Sequence, residues 1–144
     1  MITIRFIKTE ETYNIRKKVL RKNIDLPYQL EGDFDEDSFH LGLFVNNELA
    51  SIVTFLKKDY NKLTGEQFQL RAMATLEKYR GNGYGKMLVE HAEHILLNKN
   101  IHLIWCKARV NASEFYKSLK YKILGNVFEV PKVGKHYMMY KELK

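Results

Sequence analysis

Residues Arg80-Gly81-Asn82-Gly83-Tyr84-Gly85-Lys86 carry the types and the spacing of an anion cradle. Glycines at alternate positions let a backbone come close to a ligand, and Arg80 and Lys86 bracket them with fixed positive charge. The run opens a segment with helical periodicity, so unpaired N–H groups and the positive end of a helix dipole converge on one spot. That is a site for phosphate. Two familiar glycine loops do not fit. A Walker A loop needs Gly-Lys followed by Ser or Thr. Here Gly85-Lys86 is followed by Met87, and Arg80 stands where the first glycine belongs. The dinucleotide fingerprint G-x-G-x-x-G fits at Gly81 and Gly83 but ends on Lys86. The pattern that does fit is Arg/Gln-x-x-Gly-x-Gly/Ala, met by Arg80, Gly83 and Gly85. A flexible surface turn would use the same glycines, so the rest of the chain must decide.

Other residues could take part in proton transfer. Tyr116 offers a phenol, but it falls with Ala112, Phe115 and Leu119 at the spacing of a packed helix face, so a core role competes. Asn111 suits a helix N-cap as well as a ligand contact. His40 and His136 are candidate bases because imidazole titrates near neutrality. Glu66 and Glu77 are further candidates, and no single base stands out. Cys106, the one cysteine, lies in the apolar run Ile101–Cys106 and reads as a buried thiol that has no internal disulfide partner.

The elements that must position these groups follow from hydrophobic period. Ile2–Ile7 alternates as a strand, and Thr9 with Thr12 opens a helix that should end near Asn23, ahead of Pro27. A further short helix after it is left open. Phe39–Asn46 and Glu48–Leu56 flank Asn46-Asn47, which predicts a β-hairpin. Glu66–Thr75 is a strand. Tyr84–Asn98 is an amphipathic helix with Leu88, Ala92, Ile95 and Leu96 on one face. Ile101–Ala108 is apolar at nearly every position, as a central parallel strand is. Asn111–Lys120 is a short helix, and Tyr121–Val130 and His136–Leu143 are closing strands. The order is β-α-β-β-β-α-β-α-β-β, a mixed α/β chain with an antiparallel meander before a parallel crossover.

Loop and element order together resemble the GNAT family of N-acetyltransferases, over essentially the whole chain. The resemblance implies one domain over residues 1–144, built on a mixed, mostly antiparallel sheet of about seven strands with about four flanking helices. It implies acetyl-coenzyme A as co-substrate, a primary amine of a small molecule or peptide as acceptor, and no metal. The pyrophosphate would rest on Arg80, Gly81, Asn82, Gly83, Tyr84, Gly85 and Lys86. Backbone groups near Met73, Ala74 and Thr75 would hold the pantetheine arm and the thioester oxygen. In the family, the helix after the fifth strand carries an asparagine and a Phe-Tyr pair, types that Asn111, Phe115 and Tyr116 supply; Lys120-Tyr121 departs from the family's Gly-Phe. By that resemblance Asn111 contacts the arm and Tyr116 protonates the departing thiolate, a phenol being a fair match to an alkyl thiol. The segment Glu31, Asp33, Asp35, Glu36, Asp37 would border the acceptor site, where an acidic rim would attract a cationic amine; a solvated loop is the plainer reading. The alternative function is a non-catalytic coenzyme A-binding or regulatory module on the same fold.

Composition narrows the remaining classes. The chain has 144 residues, 45% hydrophobic and 28% charged, which suits a globular domain with a real core. No apolar run reaches the length of a membrane span and Met1–Lys8 shows no secretory pattern, so a cytoplasmic protein without a membrane partner is expected. The net charge of +7 raises nucleic acid as a partner. The basic residues are spread along the chain with no dense block and no zinc-ligand spacing, so a polyanionic small ligand is the better match. A homodimer is left open.

Overall fold

The computed structural model describes residues Met1–Lys144. Its first strand, β1 (Ile2–Ile7), pairs antiparallel with β2 (Phe39–Val45). β2 turns at Asn46 and Asn47 into β3 (Glu48–Leu56). Both asparagines adopt left-handed backbone, φ +47° and +72°, which a two-residue hairpin requires and asparagine tolerates. β4 (Gln67–Thr75) continues the antiparallel meander. The amphipathic stretch forms α2 (Tyr84–Asn98) and returns the chain to β5 (Leu103–Arg109), parallel to β4. β6 (Lys122–Val130) and β7 (Gly134–Glu142) close the sheet. The strand order is β1-β2-β3-β4-β5-β7-β6, so the last strand inserts beside β5 and leaves β6 at the edge.

Helical segments are shorter than the sequence pattern implies. Where one helix was expected from Thr9 to near Asn23, a 3-10 turn (Thr9–Thr12), α1 (Tyr13–Ile15) and a π turn (Arg16–Leu20) follow one another. The path ends at Leu20, and Asn23 takes φ +59°. Ile15, Val19 and Leu20 pack on the sheet, and the buried side chain of Arg16 anchors the segment beside them. Residues 21–38 form turns and no further helix. After β5, a 3-10 turn (Val110–Ala112) leads into α3 (Ser113–Ser118).

Two apolar clusters cover the two faces of the sheet. On one, Leu88, Val89, Ala92 and Leu96 of α2 are fully buried against Leu41, Val53, Phe55 and Leu70. Burying side chains of that size contributes about 1.5–3 kcal/mol each. Tyr116, Leu119 and Tyr121 extend this cluster around α3. The smaller cluster joins Ile7, Ile15, Phe44, Ile52 and Ala74 on the α1 face. Cys106 is buried, and burial pushes its thiol pKa up. No helix is long and apolar enough to cross a membrane.

Candidate active site

β4 and β5 pair only at Gln67–Leu103, Phe68–Ile104 and Gln69–Trp105. Beyond Gln69 the strands part, and the β5-facing backbone groups of β4 lose their ladder. The register between β3 and β4 slips between Ile52 and Thr54, where two residues of β4, Ala72 and Met73, oppose one of β3, Val53. Ala72 takes φ +52° at this bulge. Bulges bend a strand and re-aim its groups beside functional sites. The gap is a cavity of about 1000 Å³. Leu70 to Thr75 of β4 and Lys107 to Arg109 of β5 form its walls.

The glycine loop closes one end. Gly83 is the N-cap of α2 at φ +77°, Gly81 has φ +83°, and no side chain caps the helix. The first intrahelical bond runs from Met87 N–H to Gly83 C=O at 3.0 Å, so the N–H groups of Tyr84, Gly85 and Lys86 have no helical acceptor. A Cβ on Gly85 would lie 2.9 Å from the Met73 methyl and 3.4 Å from the Phe115 ring. Glycine therefore keeps the cleft open where α2, β4 and α3 meet. The preceding turn is pinned by Tyr79, whose hydroxyl bonds to Glu48, and by Lys78, 2.9 Å from the same carboxylate. Arg80 Nε donates to Thr75 C=O at 3.3 Å. This arrangement of open N–H groups with Arg80 and Lys86 fits a diphosphate.

The structure brings eleven of the twelve expected site residues onto the cavity wall; the exception is Asn82. Its side-chain N–H groups donate to the carbonyls of Tyr79 and Arg80 at 2.9 and 3.4 Å, so it shapes the loop from within. Tyr116 is buried, yet its hydroxyl has no hydrogen-bond partner in the protein. Burial raises its pKa well above that of an ordinary phenol, with the Cys106 thiol adding to the effect. It therefore stays protonated and able to donate. Asn111 lies exposed in the 3-10 turn before α3, on the wall. It is not an N-cap: Ala112 holds that position, and Ser113 Oγ donates to Val110 C=O instead. His136, on β7, is the one histidine on the wall. Its Nδ1 donates to Gly134 C=O at 2.9 Å, which leaves Nε2 unpartnered as the lone-pair nitrogen.

Several expectations are corrected. His40, on β2, is buried and lies off the cavity. Its Nδ1 is 2.7 Å from Thr54 Oγ1 and its Nε2 is 3.0 Å from Asp33 C=O. With Nε2–H donating and Nδ1 accepting, neither nitrogen remains for a substrate; burial lowers its pKa, with Asp33 C=O opposing. Asp33 is not part of an acidic rim. It makes a bidentate ion pair with Arg16 at 2.8 and 2.9 Å, and both side chains are 1% exposed. Burial pushes the Asp33 carboxyl up, but hydrogen bonds from Arg16 and Leu30 N–H and the guanidinium charge outweigh it, so the net shift is down. Asp35, Glu36 and Asp37 border a separate small pocket with Lys57 and Asp59. Glu66 and Glu77 are exposed and off the wall. Sequence reasoning missed Gln69, Arg71, Arg21 and Arg109, all on the wall. The signal for the first two was present: polar residues at i and i+2 in an otherwise apolar strand share one face.

The pattern of the acetyltransferase (GNAT) family matches residues 6–121. The chain belongs to that family. It is 38% identical over 146 residues to a Bacillus subtilis (strain 168) protein described as uncharacterized N-acetyltransferase YitI, covering 100% of this chain and 98% of that one. The N-acetyltransferase class expected from the sequence therefore stands, as does the mixed sheet. Escherichia coli ElaA superposes with a TM-score of 0.81 at 21% identity, over 99% and 100% of the two chains. The PaiA N-acetyltransferase of Thermoplasma acidophilum, solved in complex with coenzyme A, superposes with a TM-score of 0.75 at 16% identity, over 99% of each.

Proposed function

We propose that this acetyltransferase moves an acetyl group from acetyl-coenzyme A to a primary amine by direct attack of the amine on the thioester. The observation that carries the reading is one continuous cleft. It has an uncapped glycine loop at one end and, on its wall, the hydroxyl of Tyr116 with no hydrogen bond in the protein. The N–H groups of Tyr84, Gly85 and Lys86, with the Arg80 and Lys86 side chains, hold the pyrophosphate. The unladdered edge of Met73–Thr75 takes the pantetheine arm and supports the charge that develops on the thioester oxygen. A nitrogen–carbon bond forms and the carbon–sulfur bond breaks. Tyr116 gives its proton to the departing sulfur, and the amine loses a proton toward His136 Nε2.

Thiol release from acetyl-coenzyme A, measured with a panel of amines, tests this reading. Turnover that depends on the amine is expected, and Tyr116→Phe should lower kcat by about 10². Full activity in that variant would remove Tyr116 from the mechanism. His136→Gln should lower kcat and leave the KM for acetyl-coenzyme A unchanged; full activity in that variant would remove His136 as base.

A further inference from the structure

The cavity wall carries eight Lys and Arg side chains and no Asp or Glu. Arg80 and Lys86 belong to the glycine loop. At the α1 end, Arg21 and Arg109 converge on one carbonyl: both donate to Leu20 C=O, at 3.3 and 2.9 Å. Arg71 shares this face. It stands opposite Thr54 in the β3–β4 ladder, and the Thr54 hydroxyl accepts from Arg16 on the α1 side at 2.9 Å. Arg71 makes no hydrogen bond and no ion pair. The one buried carboxylate nearby, Asp33, is already committed to Arg16. Burial lowers the pKa of Arg21, Arg71 and Arg109, and for Arg21 the charges of Arg109 and Arg71 add to the effect. Three partly buried guanidiniums are thus gathered with no carboxylate bonded to them, the charges of Asp33 and Glu31 only partly offsetting the burial of Arg71, an arrangement that costs stability until an anion joins it.

A second observation comes from Gln69, two residues before Arg71 and therefore on the same face. It is 4% exposed and lies on the wall, and its Oε1 is buried with no hydrogen-bond partner. A buried acceptor left open is the complement of an N–H donor. An unpartnered acceptor two residues from the unpaired guanidinium of Arg71 matches a molecule that carries an amine and an anion close together.

We propose that the acceptor is a small amine bearing a carboxylate, of the amino-acid type. Arg71 holds the carboxylate with Arg21 and Arg109, and Gln69 Oε1 takes an N–H of the reacting nitrogen. Planar guanidiniums suit a planar carboxylate, and the cationic wall repels polyamines. This reverses the expectation of an acidic rim selecting a cationic amine. The inference rests on the acetyl-transfer reading above and adds the substrate class.

The test compares matched acceptors with the full chain: an amino acid, its amide, the amine lacking the carboxyl group, and the aminoalkyl phosphonate, each by thiol release from acetyl-coenzyme A. The dissociation constant of coenzyme A is measured beside them by calorimetry. The carboxylate acceptor should have kcat/KM about tenfold or more above the amide and the bare amine, the scale of a lost charge-assisted hydrogen bond. Arg71→Gln should raise acceptor KM by about tenfold or more, and Arg71→Lys should restore part of the loss. Coenzyme A affinity should be unchanged in both variants, and Arg71→Gln should not lower the melting temperature of the ligand-free protein. The inference is overturned if the amide, bare amine or phosphonate serves as well as the carboxylate, or if none of them turns over while coenzyme A binds. It is also overturned if Arg71→Gln weakens coenzyme A and leaves acceptor KM alone. Absence of coenzyme A binding would instead overturn the acetyl-transfer reading itself, and this inference with it.

Discussion

At the scale of single residues, the fold contrasts two buried residues with opposite tasks. The Tyr116 hydroxyl has no partner in the protein, so Tyr116→Phe removes no internal hydrogen bond and should leave the melting temperature and the KM for acetyl-coenzyme A unchanged while kcat falls. Because burial raises its pKa well above the ordinary phenol value, the wild-type rate should show no alkaline loss from this group below about pH 10. A limb that vanished in Tyr116→Phe would contradict this. Asp33 is the reverse case, with each oxygen engaged by Arg16. Asp33→Asn leaves a buried guanidinium uncompensated and should cost about 3–5 kcal/mol by chemical denaturation; a loss below 1 kcal/mol, the scale of an exposed pair, would contradict the buried-pair account.

At the scale of elements, the parting of β4 from β5 makes the cavity, and the glycine loop gives one end its chemistry. Gly83 caps α2 at φ +77°, and a Cβ there meets no atom within 4 Å. Gly83→Ala therefore tests backbone conformation alone. It should destabilise the fold by about 1–2 kcal/mol and weaken coenzyme A binding, read by melting and calorimetry; unchanged affinity would separate the loop from the ligand. The loop was legible in the sequence because glycines, flanking cations and a helix start lie within a few residues. The place of Tyr116 on the wall was legible because its helix motif is local. The bulge at Ala72 was not, since alanine carries no signal for positive φ and the slip arises from pairing with β3. The insertion of β7 between β5 and β6 was equally hidden, because neighbouring hairpin strands read alike whichever one lies at the edge. Arg21, Arg71 and Arg109 come from three separate segments, and only folding joins them. The acidic stretch misled because adjacency in sequence suggested a shared role, whereas Asp33 turns inward and Asp35–Asp37 turn to another face.

For the whole molecule, two buried groups set an acid limit to stability. His40 has a lowered folded pKa, so the stability it contributes is present above the unfolded value near 6.5 and is lost as pH falls through the lowered folded value. Asp33, also lowered, adds stability above about pH 4 that is lost as pH falls further. Melting temperature should therefore decline in two stages on acidification, and His40→Gln should flatten the first; a single decline unaffected by that variant would contradict the assignment. The central claim is that the cleft between β4 and β5 holds a coenzyme A thioester on the glycine loop. Thermal melting of the full chain with and without coenzyme A tests it most directly. At a hundredfold excess over its dissociation constant, coenzyme A should stabilise the protein by about 2.7 kcal/mol, with a smaller gain at the same concentration in Gly83→Ala. An unchanged melting temperature at saturating coenzyme A would contradict the account.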